Sequence, residues 1–256
     1  MIVDISTYNG ERDLWDLHYN QLKREVDRFI VVEFDRTFSG KPKPPTFPVE
    51  QYLDVEYRFH TETLYEKYRE LAESSPNTVG ADHWKREFMQ KESLKDALEG
   101  LSRDDTVFVG DVDEIWNIEA LHTLKGTHKL KLKVYTYWLN NRSSEEFWGT
   151  LRTTYLDVEN SCLNHLRTHA PKTQNSHGWH FTSMGGAAAL TQKLTDSYTQ
   201  ESYATPSVLE NVAYNIENAR DFLGRDFTYT LDESEWPQFL RGNRERYTHL
   251  IASGTP

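Results

Sequence analysis

The stretch Asp104-Asp105-Thr106-Val107-Phe108-Val109-Gly110-Asp111-Val112-Asp113-Glu114-Ile115 decides the fold. Its apolar run, Val107 to Val109, follows a polar break and ends in carboxylates, the pattern of a strand buried on both faces. In open α/β sheets the ligand crevice lies beyond the carboxyl ends of the strands. Gly110 lets the chain turn or be approached closely there. Asp111 and Asp113 flank Val112, so an extended backbone points both to one side. Hard oxygen donors so placed suit Mg²⁺ or Mn²⁺, which keep other positions for water and phosphate oxygens. The same acids also fit a solvated turn, because an Asp-x-Asp pair is a weak motif alone.

Upstream, Met1 to Ile5 reads as a first strand closing near the turn signal Tyr8-Asn9-Gly10. Leu14, Leu17, Leu22 and Val26 recur at helical spacing, with His18 read as a histidine at the edge of the core. Phe29-Ile30-Val31-Val32-Glu33 is a second apolar strand ending in an acid. Two readings stand for Glu33: a hydrogen bond to a nucleotide ribose or base, or a salt bridge to Arg36. A Gly- and Pro-rich loop follows, with Lys41 and Lys43 facing either phosphate or solvent. Residues 48–80 mix strand signals (Val55, Tyr57, Phe59) with helix signals (Leu64, Tyr68, Leu71).

From His83 to Leu101 the spacing predicts one helix, with Trp84, Phe88, Leu94, Leu98 and Leu101 on a single face. Glu87 and Lys91 fall inside that stripe, where charge is costly unless paired or used. Either they pair with each other, or Lys91 reaches a phosphate or base in the crevice with Glu87 orienting it. The second is preferred, because this helix leads straight into the carboxylate strand.

Beyond Glu114, a short helical segment runs to Leu124, and residues 128–135 alternate lysine and apolar as a strand with one wet face. Tyr135, Tyr137, Trp138, Phe147, Trp148 and Tyr155 suit stacking against sugars and suit a core equally. His177-Gly178-Trp179-His180-Phe181-Thr182-Ser183-Met184-Gly185-Gly186 looks like a strand entering a tight turn, with a helix from Ala187 to Leu194. His180 there either completes a metal shell, touches a diphosphate, or bonds backbone. Thr205-Pro206 is an N-cap followed by Pro at the first helical position, before the apolar face Val208, Val212 and Ile216.

The 256 residues suffice for one large α/β domain or two small ones. A charged fraction of 27% with 13% aromatics marks a folded, soluble chain. The net charge of −11 opposes tracking a nucleic-acid backbone or inserting stably at an anionic membrane. The lone Cys162 excludes an internal disulfide framework and fits a reducing, cytoplasmic setting. No signal peptide or apolar span is expected.

Four stretches together resemble glycosyltransferase family 17: residues 29–44 (FIVVEFDRTFSGKPKP), 84–92 (WKREFMQKE), 107–115 (VFVGDVDEI) and 178–186 (GWHFTSMGG). Gln200-Glu201 and Trp236-Pro237-Gln238-Phe239-Leu240 extend the likeness. That family includes the β-1,4-mannosyl-glycoprotein N-acetylglucosaminyltransferase. The resemblance implies a single domain with a GT-A-type nucleotide-sugar-binding fold, a mixed central sheet flanked by helices. Residues 1–116 would form the nucleotide-sugar part and 117–256 the acceptor part. It also implies inverting, metal-dependent transfer of a sugar, N-acetylglucosamine in the family, from a UDP-sugar to a glycan hydroxyl. Asp111 and Asp113 match the family's acidic metal motif and His180 the histidine of its Gly-Trp-His segment; these three are the metal candidates, with Mn²⁺ or Mg²⁺ as the ion. Asp111, Lys91 and Glu33 are the donor-binding candidates, although Lys91 stands where arginine is expected, a point charge in place of a fork. An inverting displacement needs a carboxylate to take the acceptor proton. Glu201 is preferred for that role over Glu114, which sits beside the metal motif. Two rival classes share these residues: a metal-dependent nucleotidyltransferase, and a sugar-binding protein of the same fold without turnover.

Overall fold

The computed structural model describes residues 1–78, 82–197 and 203–253. Strands β1 (Ile2–Tyr8), β2 (Arg28–Phe34), β3 (Val55–His60) and β4 (Thr106–Asp111) form the parallel half of one mixed sheet, in the order β3-β2-β1-β4. The order continues through β7 (Asn141–Thr154), β6 (His128–Thr136), β8 (Lys172–Thr182) and β5 (Glu114–Trp116), with β9 (Tyr229–Leu231) pairing β7. In this second half only β6 and β8 are parallel. Helices flank the sheet, so the mixed α/β architecture implied by the family resemblance is the one observed.

Alternation along the parallel strands explains which helix meets which residue. Val3, Ile5, Ile30, Val32, Val107 and Val109 bury against Phe88, Met89, Leu94 and Leu98 on one face. Phe29, Val31 and Phe108 bury against Trp15, Leu17 and Leu22 on the other. β2 and β4 are therefore apolar on both sides, as the run Val107 to Val109 predicts for β4. Continuing the alternation, Thr7 and Asp111 are register partners at the carboxyl end of β1 and β4. Both share the face of Val109, toward the Asp82–Glu92 helix, while Val112 packs with the opposite core.

Several expectations need correction. The helix predicted from His83 to Leu101 stops at Glu92 and passes into a 3₁₀ turn over Ser93–Ala97. Ser93 Oγ donates to the Gln90 carbonyl at 2.8 Å, the local side-chain bond by which serine competes with helix propagation. Leu94 and Leu98 stay buried all the same, which is why the periodicity looked continuous. Residues 48–80 contain both predicted element types in succession: β3, then short helices at Glu62–Tyr65 and Arg69–Ser74. Among the elements the sequence pattern does not show, two strands bear on the site. The residues after Asp113 form β5, and the aromatic-rich region contains the 14-residue β7. β5 can lie against β8 because Gly178 adopts φ +153°, and a Cβ there would stand 2.3 Å from the Ile115 carbonyl oxygen. The Thr205 cap is present, its side chain accepting from the Val208 amide at 3.3 Å ahead of the Pro206–Glu217 helix. Among the described residues no helix is long and apolar enough to cross a membrane.

Candidate active site

A cleft of about 360 Å³ opens at the carboxyl ends of β1 and β4 and is lined by Thr7, Glu87, Lys91, Asp111, Asp113, Glu114 and His180, among others. The motif carboxylates reach it by a different route from the one their spacing suggests. Asp111 ends β4, Val112 and Asp113 form a turn, and Glu114 starts β5. A two-residue turn, not a continuing strand, brings Asp111 and Asp113 to the same cleft.

Lys91 is buried, and its Nζ donates to Thr7 Oγ1 at 3.0 Å and also to Asp111 Oδ1. Thr7 Oγ1 donates to the same carboxylate oxygen. Burial opposes the charge of Asp111, but Lys91 and then Arg167 outweigh it and hold its pKa well below the usual carboxylate range. Lys91 lines the crevice, and its contact there is with the motif carboxylate; the pairing with Glu87 is not formed. Glu87 lines the same cleft with its pKa raised by burial, against the pull of Lys91.

His180 lies on β8 opposite Glu114 of β5, with its Nε2 3.5 Å from Asp113 Oδ2. Its ring stacks on Phe147 at 4.1 Å between centroids, and its Nδ1 is buried without a hydrogen-bond partner. Burial disfavours its positive charge, yet Asp113 prevails and raises its pKa above the ordinary value. Glu114 is wedged between Gly110 and Gly149: a Cβ on Gly149 would lie 2.7 Å from the Glu114 carboxylate. Thr150 Oγ1 donates to Glu114 Oε2 at 3.2 Å, and burial, then Asp111, raises the acid's pKa. Glycine at 110 and 149 is the space this side chain fills.

Glu33 does not reach the cleft, and both of its readings are corrected. It is fully buried, and its oxygens accept from Thr46 N at 2.9 Å, Thr46 Oγ1 at 2.6 Å, Phe47 N at 3.1 Å and Tyr57 Oη at 2.8 Å. Lys43 stands 3.3 Å away, while Arg36 pairs with Glu62 instead. The acid anchors the 43–47 segment and has no lone pair left for a ribose. Glu201 lies outside the described residues.

The site also contains residues the sequence did not flag. Thr7, Glu11, Lys129 and Arg167 all line the cleft, and burial raises the pKa of Glu11 while it lowers that of Lys129. The Thr7 signal was available, since a residue at the end of the first strand faces the same crevice as Asp111. Arg167 carried none, being one basic residue on a short helix, Leu163–His169.

Among the described residues no three or more His, Cys, Asp or Glu converge to hold a metal ion by themselves. Asp111 and Asp113 fit a different type of site, in which one or two carboxylates hold Mg²⁺ or Mn²⁺ and substrate phosphates complete the shell. The partnerless buried Nδ1 of His180 and the acidic side of the cleft agree with that donor set.

With this geometry in place, comparison with known proteins is decisive at the level of family. The sequence matches the model of glycosyltransferase family 17 over residues 1–185. The chain belongs to glycosyltransferase family 17. It is accordingly a glycosyltransferase, and its matched region carries Lys91, Asp111, Asp113, Glu114 and His180. No curated protein matches the sequence. Among solved structures, the apo form of mouse xyloside xylosyltransferase 1 is similar with a TM-score of 0.35 and 8% identity, covering 64% of this chain and 70% of that one. An active-site mutant of LgtC is similar with a TM-score of 0.32 and 9% identity, covering 66% of this chain and 60% of that one.

Proposed function

We propose that this glycosyltransferase moves N-acetylglucosamine from a UDP-sugar to a glycan hydroxyl, with inversion and with the help of Mn²⁺ or Mg²⁺. The observation that carries the reading is the meeting of Asp111, Asp113 and Lys91 in one cleft at the carboxyl ends of β1 and β4. Residues 1–116 would bind the nucleotide sugar and 117–256 the acceptor. The free Cys162 suits a cytoplasmic location.

Glycosyl transfer builds negative charge on the departing diphosphate and positive charge at the anomeric carbon. When bound, a divalent cation held by Asp113, and by Asp111 directly or through water, would offset the diphosphate charge. Lys91 keeps Asp111 ionised and oriented from the wall of the cleft, where Thr7 and Asp111 hold its Nζ. His180 places its Nε2 3.5 Å from Asp113 Oδ2 and limits that carboxylate's rotation. The acceptor proton needs an exposed carboxylate on the face opposite the leaving group. Glu114 is enclosed by Gly110, Gly149 and Thr150, so Glu201 is kept as the proposed base.

Release of UDP from a panel of UDP-sugars and glycan acceptors with Mn²⁺ tests the reading. Turnover of UDP-N-acetylglucosamine should fall at least 100-fold in Asp113→Ala. Undiminished turnover in that variant would reject the metal role. Binding without turnover on every acceptor would favour the silent sugar-binding protein, and pyrophosphate release from a nucleoside triphosphate would favour a nucleotidyltransferase.

A further inference from the structure

Directly behind the Val112–Asp113 turn, on the face opposite Lys91, lies a buried polar cluster that the proposed reaction does not use. His18, on the Arg12–Leu22 helix, and Asp4, in the middle of β1, are 1% and 2% exposed. His18 Nε2 is 3.1 Å from Asp4 Oδ2, and His18 Nδ1 is 3.1 Å from the Val112 carbonyl oxygen. Asp4 also accepts from Trp116 Nε1 at 2.6 Å and from Ser6 Oγ at 2.9 Å.

The proton inventory of these contacts is restrictive. A carbonyl oxygen only accepts, so His18 Nδ1 must carry a hydrogen. A carboxylate also only accepts, so the contact to Asp4 calls for a hydrogen on Nε2 as well. We infer that His18 is the positioning residue of the Asp111–Asp113 motif, a doubly donating imidazolium that ties the Val112 carbonyl to the ion-paired Asp4. Burial works against that charge, but Asp4 and the Val112 carbonyl outweigh it and raise the pKa of His18. The charged groups facing the ring are Asp4 on β1 and Asp113 in the turn, with Trp15 stacked beside it.

Val112 is the middle residue of the motif, and its side chain is sunk into the core beside the helix. Its amide donates to the Thr7 carbonyl at 3.2 Å, so the residue is held at both its amide and its carbonyl. Holding the peptides on both sides of Val112 restricts the backbone from which Asp111 and Asp113 project. Trp116 extends the tie to β5, where its ring stacks on Phe108 at 3.8 Å. One buried pair therefore ties β1, the turn and β5 together.

The consequence for ligand binding rests on the proposed cation and diphosphate reading; the state of the ring does not. The test compares wild type with Asp4→Asn/His18→Leu, which removes both charges together and leaves an amide for Trp116 and Ser6. Long-range ¹H–¹⁵N spectra of the full chain at pH 7.5 should show both His18 ring nitrogens protonated, and a neutral ring would overturn the inference. Amide exchange at Val112 should be at least tenfold faster in the double variant, with Val107 and Val109 unchanged. Equal exchange at Val112, or acceleration throughout β4, would reduce the pair to general core support. UDP binding with Mn²⁺ should weaken at least tenfold, and Asp4→Asn/His18→Gln, which keeps a donor for the Val112 carbonyl, should recover part of that loss. Wild type that binds no UDP with Mn²⁺ would sink the ligand reading, while the spectra and exchange rates would still decide the role of His18.

Discussion

At the scale of single residues, the acids of this chain divide by what surrounds them more than by where they stand in the sequence. Glu33 and Asp111 both lie at the carboxyl ends of parallel strands, but Glu33 is enclosed by donors and Asp111 faces the cleft. Glu33→Gln should therefore cost about 2 kcal/mol of stability, since the amide turns a donor toward Thr46, Phe47, Tyr57 or Lys43. Urea unfolding would measure this. Unchanged stability together with weakened UDP binding would restore the ribose reading. Nothing in the sequence separated these two acids, because the partners of Glu33 come from a loop more than ten residues on and from the next strand. His18 is a parallel case. It reads as a core-edge histidine, yet it bridges Asp4 and Val112, 14 and 94 residues away in the chain.

At the scale of elements, what was legible depended on repetition. The apolar runs Phe29 to Val32 and Val107 to Val109 and the lysine ladder of β6 each named a strand correctly. β5 was invisible because three residues show no period, and β7 because its large rings suit a strand, a core or a sugar platform alike. The joint between β3 and the 3₁₀ turn over Ser93–Ala97 gives a prediction at this scale. His60 ends β3 and meets Ser93 Oγ at 3.1 Å, and burial lowers its pKa to about 4. In the unfolded chain the ring titrates near its ordinary value of about 6.5. Between those values the unfolded chain takes up a proton that the folded chain refuses. The stability contributed by neutral His60 is thus full above about pH 6.5 and is lost as pH falls toward 4, at most on the order of 3 kcal/mol. His60→Gln should flatten this part of the profile in urea unfolding at pH 7.5 and 4.5. An unaltered profile would assign the acid sensitivity to other groups.

At the scale of the whole molecule, the sheet divides the chemistry between its two faces. The Asp82–Glu92 helix sends Lys91 to Asp111 from one side, and the Arg12–Leu22 helix sends His18 to Val112 from the other. The antiparallel half then delivers His180 and closes over Glu114. The identity of the motif and the parallel half of the fold could be read from sequence, because both depend on short-range pattern. The assembly of the cleft could not, because Thr7, Arg167 and Lys129 meet only through the order of strands. Calorimetric titration of UDP with and without Mn²⁺ tests the proposed link from Asp113 through a divalent cation to a nucleotide diphosphate. Wild type should bind UDP at least tenfold more tightly with Mn²⁺, and Asp113→Ala should lose this gain while remaining folded. UDP binding indifferent to Mn²⁺, or a Mn²⁺ gain retained in Asp113→Ala, would contradict it.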